Sequence, residues 1–296
     1  MKNRNFLIVI LLALGSFSSF GQSNLLNART PAEIGKKSAA QLVSDNDKPL
    51  PYGYVHDRDV MMGKTTWEII DLNERINQPL YFPIDTVNIG KDRRSLYDVL
   101  TSAIKSGKLT EVYTDSYFNT KISYKDIQAS LSKIDTTDVG REQFNAGTKI
   151  DPQYIVKTDL GAIDVTDYKI KGYWYFDKRQ SELKYRLIGI CPVAPDVFTL
   201  GKDEQDYIEL FWVYFPAARE VLHAAKSFND KNSAMPISFD NLLNSRIFNG
   251  VIYKEENVFG DREIAEYMKE NAQMQLLESE RVKDKIRDFE QDMWNY

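Results

Sequence analysis

Residues 171–195 read KGYWYFDKRQSELKYRLIGICPVAP, and this stretch decides how the rest of the chain is interpreted. Both of its ends are rich in aromatic and β-branched residues, which favours two strands. The five residues Asp177–Ser181 between them have the length of a hairpin connection. Tyr173, Trp174 and Tyr175 alternate in direction along a strand, so aromatic rings occupy both faces. The sequence therefore predicts an antiparallel hairpin whose two faces are both covered, by a core or by another protein.

The only cysteine of the chain, Cys191, ends an apolar run directly before Pro192. A nucleophilic cysteine needs a base and an electropositive setting, and the nearest cations in sequence are Lys184 and Arg186. These two side chains could face Cys191 only in one strand register, so we expect a buried structural cysteine. One cysteine also means that no disulfide forms within the chain, and stability must come from packing.

The two histidines are weak candidates for a metal site. His56 lies in the loop YVHDRD beside Asp57 and Asp59, and adjacent loop residues seldom converge on one ion. His223 lies in AREVLHAAK and is expected to be a half-buried helix residue. No metal and no cofactor is predicted.

Motifs for catalysis are absent from the sequence, including the P-loop, the nucleophile elbow, the zinc-protease pattern and C-x-x-C. Carboxylates are abundant, and Asp203, Glu204 and Asp206 stand close together. A glycosidase-like acidic pair stays open, because two carboxylates distant in sequence can meet in the fold. Nothing in the sequence selects one pair.

The first 22 residues, MKNRNFLIVILLALGSFSSFGQ, have the organisation of a signal peptide. Lys2 and Arg4 precede an apolar run that is too short to cross a bilayer, and a cut is predicted between Gly21 and Gln22. The exported chain, with no later apolar segment of spanning length, is expected to be soluble and without a membrane span. Its acidic balance makes it a poor nucleic-acid binder, because phosphate neutralisation needs clustered Lys and Arg.

Composition divides the mature chain into three parts. Residues 22–50 are polar and are predicted to form an extended arm. Residues 51–260 hold the core, with a possible sub-boundary in the polar stretch 135–152, which is expected to be a loop or linker. Residues 261–296 contain no Gly or Pro and predict one amphipathic helix, about 54 Å long. Its apolar side would carry Ile264, Met268, Leu277, Ile286, Phe289 and Met293.

Periodicity within the core predicts an α+β fold. Helices are expected at 65–79, 92–105, 123–134 and 217–228, and strands at 80–87, 109–115, 154–159, 162–176, 182–193 and 207–216. Pro79 and Gly107 are expected to end the first two helices. Because short turns join many of the strands, we expect a mixed or antiparallel sheet with flanking helices, an extended N-terminal arm and a long C-terminal helix.

Three blocks of sequence carry a family resemblance. They are KGYWYFDKRQSELKYRLIGICPVAP (171–195), ELFWVYFPAARE (209–220) and TTWEIIDLNERINQPLYFP (65–83). Together they resemble the GldN/PorN family, and a signal peptide ending in Gly21 and Gln22 suits the same bacteria. The family offers no catalytic residues to carry over.

The resemblance implies a non-enzymatic periplasmic subunit of the type IX secretion and gliding motility machinery. It also implies a GldK/PorK-like outer-membrane lipoprotein as partner, copies of the same chain beside it in a ring under the outer membrane, and a GldM/PorM-like periplasmic motor component.

The residues themselves leave alternatives open. A periplasmic hydrolase would use an acidic pair on envelope sugars, and a small-ligand-binding module would use the aromatic strands as a stacking platform. For an assembly subunit, the candidate partner contacts are Tyr173, Trp174 and Tyr175, together with the arm. Tyr and Trp bring a large area and a polar tip to protein interfaces.

Overall fold

The computed structural model describes residues 48–85, 93–147, 149, 151–200, 202, 205–229, 237–269 and 271–294. The predicted cut at Gly21 and Gln22, and the arm up to residue 47, lie outside the described residues. In chain order the strands are β1 (Val60–Asp71), β2 (Val112–Tyr113), β3 (Ser132–Thr136), β4 (Ile155–Asp159), β5 (Asp167–Asp177), β6 (Glu182–Pro195), β7 (Tyr207–Glu209), β8 (Trp212–Tyr214), β9 (Lys226–Ser227), β10 (Ile237–Ser238) and β11 (Val251–Glu255). The helices are α1 (Gln78–Tyr81), α2 (Leu96–Lys105), α3 (Tyr124–Leu131), α4 (Asp138–Asn145), α5 (Phe215–Ala224), α6 (Phe239–Asn244), α7 (Ile264–Tyr267) and α8 (Ala272–Trp294).

The predicted hairpin lies at the centre of the largest sheet. β5 pairs with β6 from Asp177 opposite Glu182 to Asp167 opposite Val193, with one bulge after Lys171. The strand order is β11-β1-β5-β6-β8-β2, and β7 pairs with a further part of β6. Every one of these pairs is antiparallel. With the helices packed around this sheet, the predicted α+β class is confirmed.

β1 overturns one prediction, because the helix expected at 65–79 is wrong. Residues 60–71 form a strand that pairs with β5 on one side and β11 on the other. Its Thr and Ile residues are stiff β-formers, and two ladders of long-range hydrogen bonds outweigh the helical spacing of Trp67 and Ile70. Pro79 lies in the first turn of α1 instead of ending a helix. An N–H in that position has no intrahelical partner, so its loss costs nothing.

Local signals placed the other helices well. The helices expected at 92–105, 123–134 and 217–228 are present as α2, α3 and α5, each with shorter bounds. Ser95 and Ser123 cap α2 and α3 by accepting the backbone N–H groups of Asp98 and Asp126. Gly107 ends α2 as predicted, with a φ of +71° that favours glycine.

Several strand predictions need correction. Residues 80–81 of the strand expected at 80–87 belong to α1, and the one expected at 109–115 shrinks to β2. The apolar run 207–216 is divided into β7 and β8, and Pro216 lies in the first turn of α5. Phe211, Trp212 and Val213 are nevertheless fully buried, so the expected covering of both faces is confirmed.

Residues 132–159 form an excursion from the large sheet. β3 and β4 pair antiparallel in a separate two-stranded sheet, and α4 lies between them in sequence. The loop expected at 135–152 is therefore wrong over Asp138–Asn145, where Thr137 caps the start of α4. Contacts between Cα atoms place Pro49–Tyr296 in one compact unit. The proposed division of the mature chain at 50/51, 135–152 and 260/261 stays a prediction.

The main core lies between the large sheet and helices α2, α5 and α6. Burial of apolar area is the principal stabilising contribution here. The fully buried side chains include Ile70, Leu100, Ile170, Leu187, Ile190, Phe215, Leu222, Phe239 and Leu243.

The C-terminal segment holds two helices instead of the single one predicted. α7 ends at Tyr267, and the 23 residues of α8 begin at Ala272, giving a length of about 34 Å. Val282 and Ile286 of α8 are buried against Ile252 of β11, whereas Leu277, which was expected on the buried side, is 62% exposed. The apolar side of α8 is therefore defined by its contact with β11.

Candidate partner-binding surfaces

The three aromatic residues predicted to contact partners lie on opposite faces of β5. Trp174 is half-buried beside α8, and the Arg246 guanidinium lies 5.0 Å from its ring centre. Tyr175 is buried, and Tyr173 is half-buried and stacked on it with ring centres 6.0 Å apart. Much of the surface of these three side chains is buried within the chain, whereas part of the Tyr173 ring stays exposed. Whether they contact a partner stays a prediction.

Tyr52 ties the beginning of the described chain to this region. The Arg186 guanidinium lies 4.6 Å from the Tyr52 ring centre and 5.7 Å from that of Tyr175. Its Nη2 also donates a hydrogen bond to the carbonyl oxygen of Gly53 at 3.2 Å. Tyr52 and Gly53, which follow the predicted arm, are therefore held beside β5.

A buried ion pair holds the other side of Tyr52. Arg219 of α5 binds Asp240 of α6 through two hydrogen bonds, of 2.8 and 3.2 Å. The Arg219 guanidinium lies 4.2 Å from the Tyr52 ring centre, and the Tyr52 hydroxyl donates to Asn244 at 2.9 Å. Burial raises the pKa of Tyr52 above its usual range. This cluster could not be predicted from local sequence, because its members lie far apart along the chain.

A second buried ion pair joins β1 to the end of α6. Arg246 donates hydrogen bonds of 3.1 and 2.8 Å to the two carboxylate oxygens of Glu68, which is almost fully buried. The guanidinium also lies 4.2 Å from the ring centre of Tyr185 and 5.1 Å from that of Phe248. Removing one partner of such a pair strongly destabilises the folded protein, so the role of this pair is structural.

Cys191 is structural, as predicted. Its side chain is fully buried against Trp67 and Trp212, and burial raises the pKa of its thiol well above the usual range. Lys184 and Arg186 are occupied elsewhere, by Asp177 and by Gly53. A thiolate nucleophile needs the opposite conditions.

The histidine candidates, and those acidic candidates that the structure describes, do not converge. The His56 ring packs edge-to-face on Tyr54 at 4.7 Å, whereas Asp59 is buried and lies 4.0 Å from Arg179. His223 is half-buried on α5, as expected. In the described parts of the chain no three His, Cys, Asp or Glu side chains are placed to hold a metal ion. Asp203 and Glu204 lie outside the described residues.

Two lysines fill an aromatic cluster on the sheet face that carries Trp67. The Lys171 ammonium lies 4.9 Å from the ring centres of both Trp67 and Tyr117, and Lys254 lies 4.6 Å from that of Trp67. Burial, and then the positive charge of Lys254, lower the pKa of Lys171. The Tyr117 hydroxyl accepts from Lys254 and donates to Asp261. These rings are therefore occupied by cations of the same chain.

One pair of carboxylates does meet in the fold. Asp71 and Asp167 stand directly opposite each other at the end of the β1–β5 ladder. Burial raises the pKa of Asp167, and the negative charge of Asp71 adds to this effect, while a hydrogen bond from Thr166 opposes it. This pair is therefore a candidate for an acidic-pair mechanism.

Two of the segments that expose apolar side chains carry five or more of them. On the 132–159 excursion they include Ile134, Val139, Phe144, Ile155 and Val156. Around the turn after β11 and the start of α8 they are Val258, Phe259, Tyr267, Met274, Leu276 and Leu277. Apolar side chains grouped at a surface mark sites of protein association.

Comparison with known proteins identifies the family. A family model described as gliding motility associated protein GldN matches residues 55–295, which is most of the chain. A search of the curated proteins finds no match. Within the described residues, no helix combines the length and the apolar character needed to cross a membrane. The chain therefore belongs to the GldN family, whose members are components of the gliding motility and type IX secretion machinery.

Proposed function

We propose that the chain is a non-enzymatic structural subunit that works in the periplasm. A GldK/PorK-like lipoprotein holds it at the inner face of the outer membrane, where copies of both proteins form a ring that meets a GldM/PorM-like motor component. Membership of the GldN family and the signal-peptide pattern of residues 1–22 support this assignment.

The observation that carries the proposal is the position of Tyr52. Its ring contacts Arg186, Arg186 contacts Tyr175, and Tyr175 stacks on Tyr173. Tyr52, which follows the predicted arm of residues 22–50, thus lies next to Tyr175 and Tyr173 of β5. We propose that the predicted arm and the partly exposed Tyr173 act together, because an extended contact area and an aromatic anchor are what protein interfaces use.

A periplasmic hydrolase is the second candidate, and the Asp71–Asp167 pair is the observation that favours it. The ligand-binding alternative draws less support. Lys171 and Lys254 already occupy the rings of the aromatic cluster, and Tyr173 and Trp174 point to opposite faces of β5.

The test is recovery of the lipoprotein and the motor component with the tagged mature chain, followed by mass photometry. The deletion stops at residue 50 so that Tyr52 keeps its contacts with Arg219 and Asn244. We expect deletion of residues 22–50, and Tyr173→Ala, to lower lipoprotein recovery. Tyr207→Ala is the matched control, because this exposed tyrosine lies on β7. Thermal unfolding confirms that each variant is folded.

Two outcomes count against different parts of the proposal. Unchanged recovery after the deletion removes the arm from the interface. A mature chain that stays a single particle with every envelope partner overturns the structural assignment. Hydrolysis of envelope sugars that is lost in Asp71→Asn or Asp167→Asn would favour the enzyme.

A further inference from the structure

The outer edge of β3 carries backbone groups that β4 does not use. One of them, the Thr136 N–H, donates to the neighbouring Asp135 carboxylate at 2.8 Å and would have to exchange this bond for one across the edge. Leu160 donates its N–H to the carbonyl of Leu131 at 2.8 Å, and Thr137 donates its N–H to Tyr154 at 3.0 Å. Hydrogen-bonded pairs occur at every second residue of an antiparallel ladder. Between Leu131 and Thr137, the residues whose backbone groups point toward β4 are therefore Lys133 and Asp135. The N–H and C=O groups at positions 132, 134 and 136 consequently point away from β4.

The same edge exposes apolar side chains. Ile134 is 67% exposed and Ile155 is 42% exposed. Ile155 stands opposite Thr136, two positions from Ile134, so both isoleucines lie on one face of the two-stranded sheet. An uncovered strand edge with apolar side chains is a template for pairing with another chain.

The charges of β3 are complementary to themselves. Its sequence is Ser-Lys-Ile-Asp-Thr, and antiparallel pairing of two copies centred on Ile134 puts Lys133 of one opposite Asp135 of the other, twice. In the isolated chain these charges form exposed ion pairs, Lys133 with Asp135 at 3.5 Å and Arg141 with Asp135 at 3.4 Å. Exposed ion pairs of this kind contribute little, so the charges can exchange partners.

We propose that β3 pairs antiparallel with β3 of a second copy of this chain, about a two-fold axis through Ile134. The pairing joins two small sheets into one of four strands, with the Ile134 and Ile155 side chains of both copies on one face. Self-pairing through β4 is disfavoured, because centring on Lys157 would put two ammonium groups opposite each other.

This contact goes beyond the proposed function. A two-fold contact closes after two copies, so it couples pairs of chains and is distinct from the head-to-tail contacts that build a ring. Strands of five residues bury less than the roughly 800 Å² per partner of a standard interface. The pairing therefore gains most where other partners already hold the copies close together.

The test uses the buried state of Cys191, which leaves an introduced cysteine as the reactive one. Mild oxidation of the mature Ile134→Cys chain should give a disulfide-linked dimer, because bonded antiparallel residues have Cα atoms about 5.5 Å apart. Val258→Cys, at a side chain that is 93% exposed, should give little dimer. Adding Lys133→Asp to Ile134→Cys should lower the dimer yield about fivefold, since two attractions become repulsions. Adding Asp135→Lys as well should restore it.

The rescue separates a paired edge from random collision. Absence of a dimer from Ile134→Cys, equal yields from the two cysteine variants, or a yield insensitive to Lys133→Asp would each overturn the proposal. Sedimentation of the chain with its native cysteine alone gives an independent measure. The dimer fraction should rise with concentration and disappear in Ile134→Lys, and a dimer that survives this substitution would also overturn it.

Discussion

The large sheet and the 132–159 excursion use the same β-branched side chains and differ in what covers them. Ile70, Ile170 and Ile190 of the sheet are fully buried, whereas Ile134 of β3 lies mostly in solvent. Burial within the chain stabilises the fold, and an isoleucine left outside can gain the same free energy only by association. The comparison separates the part of the molecule that specifies its fold from a part that is available to partners.

The largest expected effect is a loss of stability when a positive charge that pairs with a buried carboxylate of the large sheet is removed. Arg246→Met should lower the free energy of unfolding by about 3–5 kcal/mol, because it leaves the Glu68 carboxylate buried without its partner. Methionine keeps the aliphatic stem and the left-handed backbone strain of the original residue. The control is Lys133→Met in the excursion, which should change stability by less than about 0.5 kcal/mol. Urea denaturation measures both, and equal losses would erase the distinction.

Truncating one isoleucine in each region compares the large sheet and the excursion with the same change of side chain. Ile190→Ala should cost about 2–5 kcal/mol, since it removes buried methyl groups and leaves a cavity. Ile134→Ala should stay within about 0.5 kcal/mol when measured at a concentration where the chain is monomeric. A large loss at Ile134 would mean that the excursion is packed within the single chain.

The edge strands of the two sheets also differ in whether the rest of the chain covers them. The Ile252 N–H of β11 is accepted by Ser279 Oγ of α8 at 2.9 Å. Ser279→Ala should therefore cost about 1–3 kcal/mol, the penalty of a buried unpaired donor. Ser132→Ala in β3 is the control, because its hydroxyl makes only an exposed hydrogen bond to Gln128 and should cost little. Thermal unfolding of the two variants decides the point.

Much of this contrast could be foreseen from local sequence. The β5–β6 hairpin and the glycine stop of α2 are encoded within a few residues, and both were predicted. β1 was not predicted, because its strand state depends on β5 and β11, which lie about a hundred or more residues away. The pairing of Arg246 with Glu68 spans 178 residues and leaves no local signal.

The candidate surfaces were foreseen less completely. The aromatic run at 173–175 was found, yet its division between two faces depends on what α8 and Arg186 cover. The outer edge of β3 was missed, because residues 132–134 were predicted to end a helix and residues 135–136 to begin a loop. Only the register of β3 and β4 shows which of its backbone groups point outward.

The smallest effect depends on pH and involves like charges in the large sheet. Asp167 has a raised pKa in the folded protein, so its ionised form opposes folding at neutral pH. Asp167→Asn should stabilise the protein by about 0.2–1 kcal/mol there. The gain should shrink as the pH falls through the pKa of Asp167 in the folded protein toward the usual value near 3.9. The wild-type carboxyl group is then protonated and as uncharged as the asparagine that replaces it. A gain that persists below pH 3 would assign the effect to something other than charge.

The proposed function requires this chain to act through its surfaces and not through chemistry at an acidic pair. The most direct measurement is protein secretion and gliding in cells whose only copy carries either Asp71→Asn with Asp167→Asn, or the deletion of residues 22–50. We expect normal secretion and gliding from the carboxylate variant, and loss of both from the folded, exported deletion variant. The reverse pattern, with the carboxylate variant still assembled but inactive, would contradict it.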